Sequence, residues 1–528
     1  MSELDALRQR LDELDDEMRE RLTKVEDERD RYRALYQEMM ERCRKLELGL
    51  MGQKSERLGD EGIELSEAML EMLLGERAKA EIDDLGKDHE QVVEKHTRRK
   101  PTGRKPIPDH LPRVEIVIIP EEVEREGLDA FERIGQDVTE ILERRTASMV
   151  VARVVKPKYV RRNRPDKKGV VMGATPELPI KAGMAGPGLL ADTVVRRWQD
   201  HMPLNRLEGM YARDGVELSR STICGWHGQL ADLAERLVAA MRRDALEQPY
   251  LCVDATGVLV QAKKKCRRAH FWVTVAPGRH VLFEYTRKHD GDAVDTVLAG
   301  YQGYLVLDAA TVYDHIFEGE RVIEVNCWAH CRRYFFDALS SDKDRAEEAL
   351  GHIGALFKIE RSITDASRKK RERIRHKHSR PVVDSFFSWC EAEWPKLLED
   401  APIYKGVQYA RNQQKGLRRF LHDGRLPLDN NVSERELRRQ AVGRKNWMFL
   451  GSDDGGRVNS IFTSLLASAR MVGVEPWSYL RDVLCLLPDW PVHALLDLAP
   501  VNWAKTMRRE HVRHTLDLNP YRALTLGG

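Results

Sequence analysis

The sequence predicts a multidomain α/β protein, and three observations support that prediction. With 528 residues, the chain is too long for one ordinary hydrophobic core. Its first 50 residues have the seven-residue apolar period of a long helix. From residue 250 onward, short strand-like runs are followed by helical stretches. We therefore expect several folded units in series, some helical and one built on a sheet.

Composition and charge indicate which classes of protein fit this chain. Lys and Arg number 87 and Asp and Glu 85, so the net charge is only +2, but the basic residues are concentrated in local runs. Such runs favour nucleic-acid binding, because phosphate contacts release counterions. The eight cysteines include no Cys-x-x-Cys pair, and the chain has no apolar signal core and no stretch of about 20 apolar residues. We expect reduced thiols, no membrane partner and a soluble cytoplasmic protein.

Residues 1–50 are predicted to form a coiled coil. One apolar seam is unbroken, whereas the second contains Arg21, Glu28 and Arg42 among its leucines. A sustained heptad favours a homodimer or a higher assembly. The alternative is a long amphipathic helix folded back on its own protein. The unbroken seam consists of Leu4, Leu11, Met18, Val25, Tyr32, Met39 and Leu46.

Residues 51–112 are polar and are predicted to be a linker ending in a basic arm. Its last part, RRKPTGRKP, contains prolines that exclude a helix or a central strand. The arm could run along phosphates or in a minor groove; a solvated basic tether is the alternative. The candidate DNA-binding residues are Arg98, Arg99, Lys100, Arg104 and Lys105.

Residues 113–175 are predicted to be a small β module. The strand-like run ASMVVARVV leads into a basic segment that also contains Tyr159. A basic ribbon with an aromatic residue suits contact with a DNA backbone. A strand edge protected by its charges is the alternative. The candidate DNA-binding residues here are Lys158, Arg161 and Arg162.

Residues 183–245 are predicted to form three helices with a helix-turn-helix arrangement. Ser219 or Ser221 can cap the third helix, which begins after a turn with Gly215. A second short helix rich in small polar groups is typical of DNA-binding helix-turn-helix units. A purely structural helix pair is the alternative. The residues expected at the groove are Arg220, Ser221, Thr222 and Trp226.

Residues 247–342 are predicted to form the first part of a ribonuclease H-like core. Three strands, a helix and a fourth strand follow one another, with Asp254 in the first strand and Asp308 at the end of the fourth. In that fold the first and fourth strands are neighbours, so the two aspartates should meet. Converging carboxylates suit Mg²⁺, which prefers oxygen ligands. A lone aspartate at a strand end is more often a turn-former.

A third acid is expected on a later helix. The segment LDNNVSERELRR at 428–439 begins with capping residues and continues in a helical pattern. Glu434 and Arg438 share a face, so a surface ion pair is the alternative to a catalytic glutamate. Periodicity alone does not choose between Glu434 and Glu436.

Several blocks resemble the transposases of insertion-sequence family sixty-six. They are GQKSERL at 52–58, RRKPTGRKPIPDHLP at 98–112, CWAHCRRYF at 327–335, DNNVSER at 429–435, GRKNWMFLGSDDGG at 443–456 and WSYLRDVLCLLP at 477–488. The resemblance implies an Asp-Asp-Glu triad of Asp254, Asp308 and Glu434. It also implies cleavage of element ends and joining of the 3′-hydroxyl to target DNA. We expect two Mg²⁺ or Mn²⁺ ions for this chemistry and no zinc.

The same resemblance implies the remaining organisation and partners. A helical insertion is expected at 343–424, the second part of the core at 425–475 and a C-terminal helical tail at 476–528. The partners would be element-end and target DNA, and small accessory transposition proteins. A bacterial, nucleoid-associated location follows from that role.

Other residues are candidates for DNA contact near the core. The insertion contains a basic run in which Arg371 and Arg375 were expected to bind phosphate, although a solvated face is the common reason for such runs. Arg438 lies on the helix of Glu434. Beyond it, two cations and a stacking surface suit a splayed or flanking DNA end, and they are Arg444, Lys445, Asn446 and Trp447.

Cys327 and His330 form a Cys-x-x-His pair after the fifth strand. A similar pair lies near the scissile phosphate in related transposases, and a buried structural pair is the equal alternative. With Cys331, the spacing does not suit zinc. Many family members have a cysteine zinc module before the helix-turn-helix, but 114–173 contains no cysteine. A nuclease of the same fold and a non-catalytic DNA-binding or scaffold protein are the rival functions.

Overall fold

A computed structural model describes residues 178–519 except 182, 184, 214–215, 264 and 320, together with Tyr521, Arg522 and Thr525. Before residue 178 it describes 10, 18–19, 21–26, 28–29, 31, 69, 72–73, 158–159 and 171–172. Most of the predicted coiled coil, linker and β module therefore lies outside the described residues. So do the candidate DNA-binding residues Arg98, Arg99, Lys100, Arg104, Lys105, Arg161 and Arg162.

Two short strands are described in the predicted β module. Strand β1 (Lys158–Tyr159) pairs antiparallel with β2 (Val171–Met172). Lys158, a predicted DNA-binding residue, is thus part of a β-ladder.

Between residue 178 and the main sheet lie three described helices: α1 (Pro187–Trp198), α2 (Leu204–Arg213) and α3 (Arg220–Leu246). Ser219 caps α3 as predicted, since its hydroxyl accepts from the Thr222 backbone N–H at 3.2 Å. The Tyr211 hydroxyl of α2 donates to Asp192 of α1 at 2.6 Å. The predicted order of three helices is confirmed.

A five-stranded sheet follows. Its strands are β3 (Tyr250–Val260), β4 (Arg267–Ala276), β5 (His280–Thr286), β6 (Gly303–Leu307) and β7 (Val322–Asn326), and α4 (Gly291–Val297) connects β5 to β6. The spatial order is β5-β4-β3-β6-β7. The first three strands are antiparallel, whereas β6 and β7 run parallel to β3. The first and fourth strands are therefore neighbours, as predicted.

Helices cover both faces of this sheet. One face packs on α3 and on C-terminal helices in a single apolar core that contains Leu230, Trp272 and Phe462. The other face packs on α5 (Trp328–Ala338) and on the predicted helical insertion. The insertion consists of α6 (Lys343–Ser362), α7 (Arg368–Ile374), a π-helical turn (Arg375–Ser379), α8 (Arg380–Glu393), α9 (Pro402–Asn412) and α10 (Gln414–Arg418).

The rest of the chain completes the two layers. It consists of α11 (Asn431–Trp447), α12 (Asp453–Met471), α13 (Pro476–Leu486), α14 (Pro500–Thr506) and α15 (Glu510–Asp517). Five 3₁₀ segments join the elements at Thr311–Phe317, Trp394–Lys396, Arg419–Leu421, Leu487–Asp489 and Val492–Leu498. No helix within the described part of the chain is long and apolar enough to span a bilayer.

Helix α12 closes the outer edge of the sheet. Strand β5 is an edge strand, and its Val281 and Phe283 N–H groups point away from β4. The Ser468 and Ser464 hydroxyls of α12 accept from these two groups at 2.9 and 2.8 Å. Ser468 also donates to the Val281 carbonyl at 3.0 Å. Side chains of a helix thus satisfy this edge at Val281 and Phe283, which hinders its pairing with another strand there.

Candidate active site

Asp254 and Asp308 lie on neighbouring parallel strands. Cys252 of β3 is in register with Val306 of β6, so the register continued by two residues brings Asp254 beside Asp308. Asp308 follows the last residue of β6, and its carboxylate also accepts from the Ala310 N–H at 3.3 Å, as a turn-forming aspartate does. The Tyr409 hydroxyl of α9 donates to the Asp308 carbonyl at 3.4 Å. The insertion thus contacts the second acid.

The electrostatics of Asp254 show how close the acids are. Burial, and then the negative charges of Asp308 and Glu434, raise the pKa of Asp254 to about 7, although a hydrogen bond from the Ala255 N–H at 2.7 Å opposes the rise. The pKa of Tyr313 is also raised, by burial and then by Asp308 and Asp254. The three acids therefore share one electrostatic environment.

Glu434 faces this site from the first turn of α11. An open pocket of about 350 Å³ is lined by Asp254, Thr256, His330, Arg333, Glu434, Leu437, Arg438 and Ala441. His330 Nε2 of α5 lies 3.3 Å from Glu434 Oε1, and Arg333 lies 3.9 Å from Glu434 Oε2. Glu436, by contrast, is paired with Arg439 at 2.7 Å. Between the two candidate glutamates, the structure brings Glu434 to the aspartates.

The donor set suits a hard divalent cation. Glu434 Oε1 is buried and accepts no hydrogen bond, and burial together with the nearby acids raises the pKa of Asp254, so its ionised form is unfavourable. Both costs would be relieved by a bound cation with oxygen preference. Within the described residues no three His, Cys, Asp or Glu side chains are close enough, as they stand, to hold a metal ion. Binding of one cation by all three acids therefore requires at least one of their side chains to move.

A small network anchors the start of α11 to the sheet. Asn430 is fully buried, and its side-chain amide donates to the carbonyl of Val253, the residue before Asp254, at 2.9 Å. Its backbone N–H donates to Cys327 Sγ at 3.1 Å, and the Trp328 N–H donates to the Leu428 carbonyl at 3.1 Å. Sequence analysis missed Asn430, since its place before a helix indicated a cap. Its side chain makes no capping hydrogen bond.

Cys327 and His330 lie in different surroundings, and each fits a different one of the two interpretations. Cys327 is buried, and burial raises the pKa of its thiol to about 12, which suits a structural thiol and not a thiolate ligand. His330 instead lines the pocket beside Glu434. Only the histidine of the pair faces the site.

The residues expected at the groove in the helix-turn-helix differ in their exposure to solvent. Arg220 is exposed and pairs with Glu208 at 3.1 Å, and Ser221 is exposed beside it. Thr222 is half-buried, and its hydroxyl hydrogen-bonds with Ser219 at 2.9 Å. The expectation for Trp226 is wrong, because its side chain is buried in the core and cannot reach a groove.

The insertion candidates also differ from the prediction. Arg375 is fully buried, pairs with Glu360 at 2.7 Å and donates to the Phe420, Asp423 and Leu426 carbonyls. Its predicted contact with phosphate is therefore wrong, since all of its donors are used inside the fold. Arg371 is partly buried and donates to the Gly424 carbonyl at 3.2 Å.

The predicted residues along α11 do not form one exposed surface. Arg438 is exposed and lines the pocket, and Lys445 and Asn446 are exposed. Arg444 donates to the Thr256 hydroxyl at 3.0 Å and to the Gly257 carbonyl, so it fastens α11 to β3. The stacking role of Trp447 is not supported, because its half-buried ring packs against the cluster of Val258 and Val260.

Comparisons with known families match most of the chain. The family model described as Transposase IS66 family matches residues 182–458, more than half of the chain. Models described as Transposase C of IS166 homeodomain and IS66 C-terminal element match residues 38–116 and 464–501.

Three proteins of Sinorhizobium fredii, each named only as uncharacterized, are similar over most of their length. The chain is 30% identical to y4hP over 495 residues, which cover 87% of this chain and 88% of the relative. It is 30% identical to y4qI over 426 residues, which cover 77% of this chain and 78% of the relative. It is 28% identical to y4jD over 421 residues, which cover 75% of this chain and 81% of the relative. The chain therefore belongs to the IS66 family of transposases, the family that its motifs resemble.

Proposed function

We propose that this transposase-family chain cleaves the ends of its element and joins the resulting 3′-hydroxyl to target DNA, with a ribonuclease H-like core as the catalytic unit. The observation that carries the proposal is that Asp254 and Glu434 line one open pocket and that Asp308 lies beside Asp254 on the neighbouring strand. The adjacency of β3 and β6 supports the ribonuclease H-like assignment, because it is the strand arrangement that places the two aspartates together.

Asp254, Asp308 and Glu434 are the residues that would hold divalent cations, two Mg²⁺ or Mn²⁺ ions by expectation. When bound, such ions stabilise both the attacking and the leaving oxygen of an in-line displacement at phosphorus. In the first step a water oxygen bonds to phosphorus and the bond to the 3′-oxygen breaks, so the 3′-oxygen leaves with a proton as a hydroxyl. In the second step the oxygen of that hydroxyl bonds to a target phosphorus, the bond from this phosphorus to the target 3′-oxygen breaks, and the proton of the attacking hydroxyl ends on the leaving 3′-oxygen.

The basic residues of the pocket would position the DNA. Arg333 and Arg438 line the pocket with the acids, where they can pair with phosphate oxygens. Thr256 lies two residues beyond Asp254 and is held by Arg444, which keeps this part of β3 in place. His330 and Arg333 also hold Glu434 in its present orientation and would release it when the cations are bound.

Assembly and partners are part of the same proposal. The chain would act on element-end and target DNA as a homodimer or a higher assembly, with small accessory proteins. The described N-terminal residues are helical at 21–26, and Met18 and Val25 of the predicted apolar seam are 61% and 65% exposed in the single chain. Pairing with a second copy would bury them.

A cleavage and joining assay tests the proposal. Full-length protein is mixed with duplexes taken from either side of its coding sequence, with Mg²⁺, Mn²⁺ or EDTA. We expect metal-dependent nicking at one position and joining of a precleaved end to plasmid DNA. Asp308→Asn should lose nicking by more than 100-fold and keep DNA binding, whereas Asp314→Asn, an exposed acid six residues on, should keep both. Nicking without joining would indicate a nuclease, and binding without nicking a scaffold protein.

A further inference from the structure

The segment that follows α11 has a strained backbone. Met448 has φ 57° and ψ −48°, a conformation that a side chain with a Cβ rarely adopts. The Phe449 N–H donates to the Trp447 carbonyl at 2.7 Å, which closes a three-residue γ-turn of the uncommon positive-φ kind. Such strain persists only where the surrounding structure imposes it, and it is concentrated at functional sites.

Contacts on both sides impose this turn. Before it, the Met448 N–H donates to the Arg444 carbonyl at 2.7 Å. After it, Leu450 is buried, its N–H donates to the Leu259 carbonyl, and its carbonyl accepts from the Gln261 N–H, both at 2.8 Å. The turn is therefore clamped between the end of a helix and the end of β3.

The clamped turn presents apolar side chains to solvent. Met448 is 68% exposed, Phe449 38% and Leu259, whose carbonyl receives the Leu450 N–H, 48%. Exposing these apolar side chains to water in a strained, fixed conformation does not stabilise the fold. We name Met448, Phe449 and Leu259 the turn patch.

Cations surround the turn patch. Lys263 and Lys265 are exposed in the β3–β4 connection next to Gln261, Arg268 is exposed opposite Leu259, and Lys445 is exposed on the last turn of α11. Within the described residues none of these four forms an ion pair with a carboxylate. An apolar centre bordered by unpaired cations complements DNA, which has apolar base faces between phosphates.

The turn patch lies within reach of DNA held at the acids. Glu434 is in the first turn of α11 and Met448 follows the last, so about 20 Å separates them along the helix axis. That length corresponds to roughly six base pairs of a duplex.

We propose that Met448 and Phe449 form a wedge that enters the DNA duplex and unstacks one base step about six base pairs from the cleaved phosphodiester, while the surrounding cations bind the adjacent phosphates. The inference rests on the proposed function, because it requires DNA at the pocket. An apolar side chain inserted at a base step kinks the duplex and extends its contact with the protein. Rigid support of the turn suits this role, since a flexible loop would fold back on the protein instead of entering the stack.

Permanganate oxidation of unstacked thymines tests the wedge. The probes are the duplexes used for cleavage, each with thymine at a different position within ten base pairs of the nick. In buffer with Ca²⁺, bound full-length protein should make one or two thymines at least fivefold more reactive to permanganate than they are in the free duplex. Met448→Gly with Phe449→Ser should abolish that increase. Glycine tolerates positive φ, so this variant should be folded and at least as stable as Phe449→Ser alone.

The matched control replaces two exposed apolar residues far along the chain. Val492→Ser with Leu518→Ser removes side chains that are 63% and 66% exposed and should leave thymine reactivity unchanged. Equal reactivity in the wedge variant and the wild type would overturn the wedge and leave the turn patch as a protein-docking surface. Wild-type cleavage without any reactive thymine would overturn the wedge but not the proposed function. Absence of DNA binding by the wild type would overturn both.

Discussion

At the scale of single residues, Asp254 is the most constrained group in the site. It is tied to β3, faces Asp308 across a strand pair and faces Glu434 across the pocket, and burial denies it water. An acid whose pKa is raised in the folded protein binds its proton more tightly there than in the unfolded chain. The contribution of Asp254 to the free energy of unfolding therefore falls as pH rises from 3.8, the ordinary pKa of an aspartate, to about 7. Above pH 7 the full destabilisation remains.

Asp254→Asn should therefore stabilise the metal-free protein at high pH. Each pKa unit corresponds to about 1.4 kcal/mol, so we expect an unfolding temperature about 2–5 °C above wild type at pH 8 and no difference at pH 4. Thermal unfolding in EDTA measures this. Mg²⁺ at pH 8 should then raise the unfolding temperature of the wild type but not of the variant.

The exposed Glu217→Gln is the control for Asp254→Asn, and its unfolding temperature should follow wild type at both pH values. A lower unfolding temperature for Asp254→Asn at pH 8 would mean that the carboxylate is stabilised in the fold. In that case mutual repulsion among the acids could not be the driving force for cation binding.

Candidate residues can be selected from the sequence where chemistry and local pattern agree. Asp254 and Asp308 are candidates because an acid inside or after an apolar strand is unusual, and Glu434 because its motif is specific. Arg375 was predicted wrongly because its burial depends on Glu360 and on three carbonyls from 420 to 426, which only the folded insertion brings together. A basic run does not reveal which of its members faces inward.

At the scale of elements, α11 connects Glu434 to the rest of the core. Its start is held by Asn430 against β3 and by Cys327 before α5, and its end is held by Arg444 against Thr256. Both anchors on β3 lie within two residues of Asp254. The helix therefore sets the distance between Glu434 and the aspartates.

Asn430→Ala should loosen that arrangement. Removing the amide leaves the buried Val253 carbonyl without this donor, which we expect to cost about 1–3 kcal/mol in free energy of unfolding. Single-turnover nicking should fall at least tenfold while DNA affinity stays within twofold. Urea unfolding and single-turnover kinetics measure the two effects.

The neighbouring Asn431 offers a matched control. Its amide donates to Asp429 at the surface, so Asn431→Ala should change stability and nicking little. Equal behaviour of the two variants would show that Asn430 does not position α11.

Element boundaries were predictable where the apolar period and turn residues agree. Strand β5 was expected at 280–286 and lies there, and the helix expected near 292–299 spans Gly291–Val297, capped by Asp290. Strand β4 begins three residues before the expected 270, because Arg267 and Arg268 pair with the end of β3. Cross-strand pairing of charged residues has no periodic apolar signal, so the sequence could not indicate it.

At the scale of the whole molecule, the three early helices are not packed as a separate body. Leu230 and Leu237 of α3 share a core with Trp272 of the sheet and with Phe462 and Leu465 of α12. Trp226 is buried for the same reason: the third helix uses its apolar face for the core. Sequence periodicity showed that this face exists but not what covers it.

A shared core should unfold as one unit. In native-state hydrogen exchange of the full chain, peptides from α3 and α12 should report the same free energy of opening, within about 1 kcal/mol. Mass spectrometry across a denaturant series measures this. If α3 exchanges at much lower denaturant than α12, the helices form an independent domain and the common core does not govern stability.

The closure of β5 by Ser464 and Ser468 has a consequence for synthesis of the chain. Strand β5 leaves the ribosome almost two hundred residues before the helix that protects it. Throughout that interval the nascent protein has a bare β-edge, which is a template for intermolecular pairing. Glu434 also arrives in this late portion, so a prematurely terminated product would lack its third acid and be prone to aggregation. Translation to the far end of α12 therefore supplies both Glu434 and the serines that cover β5.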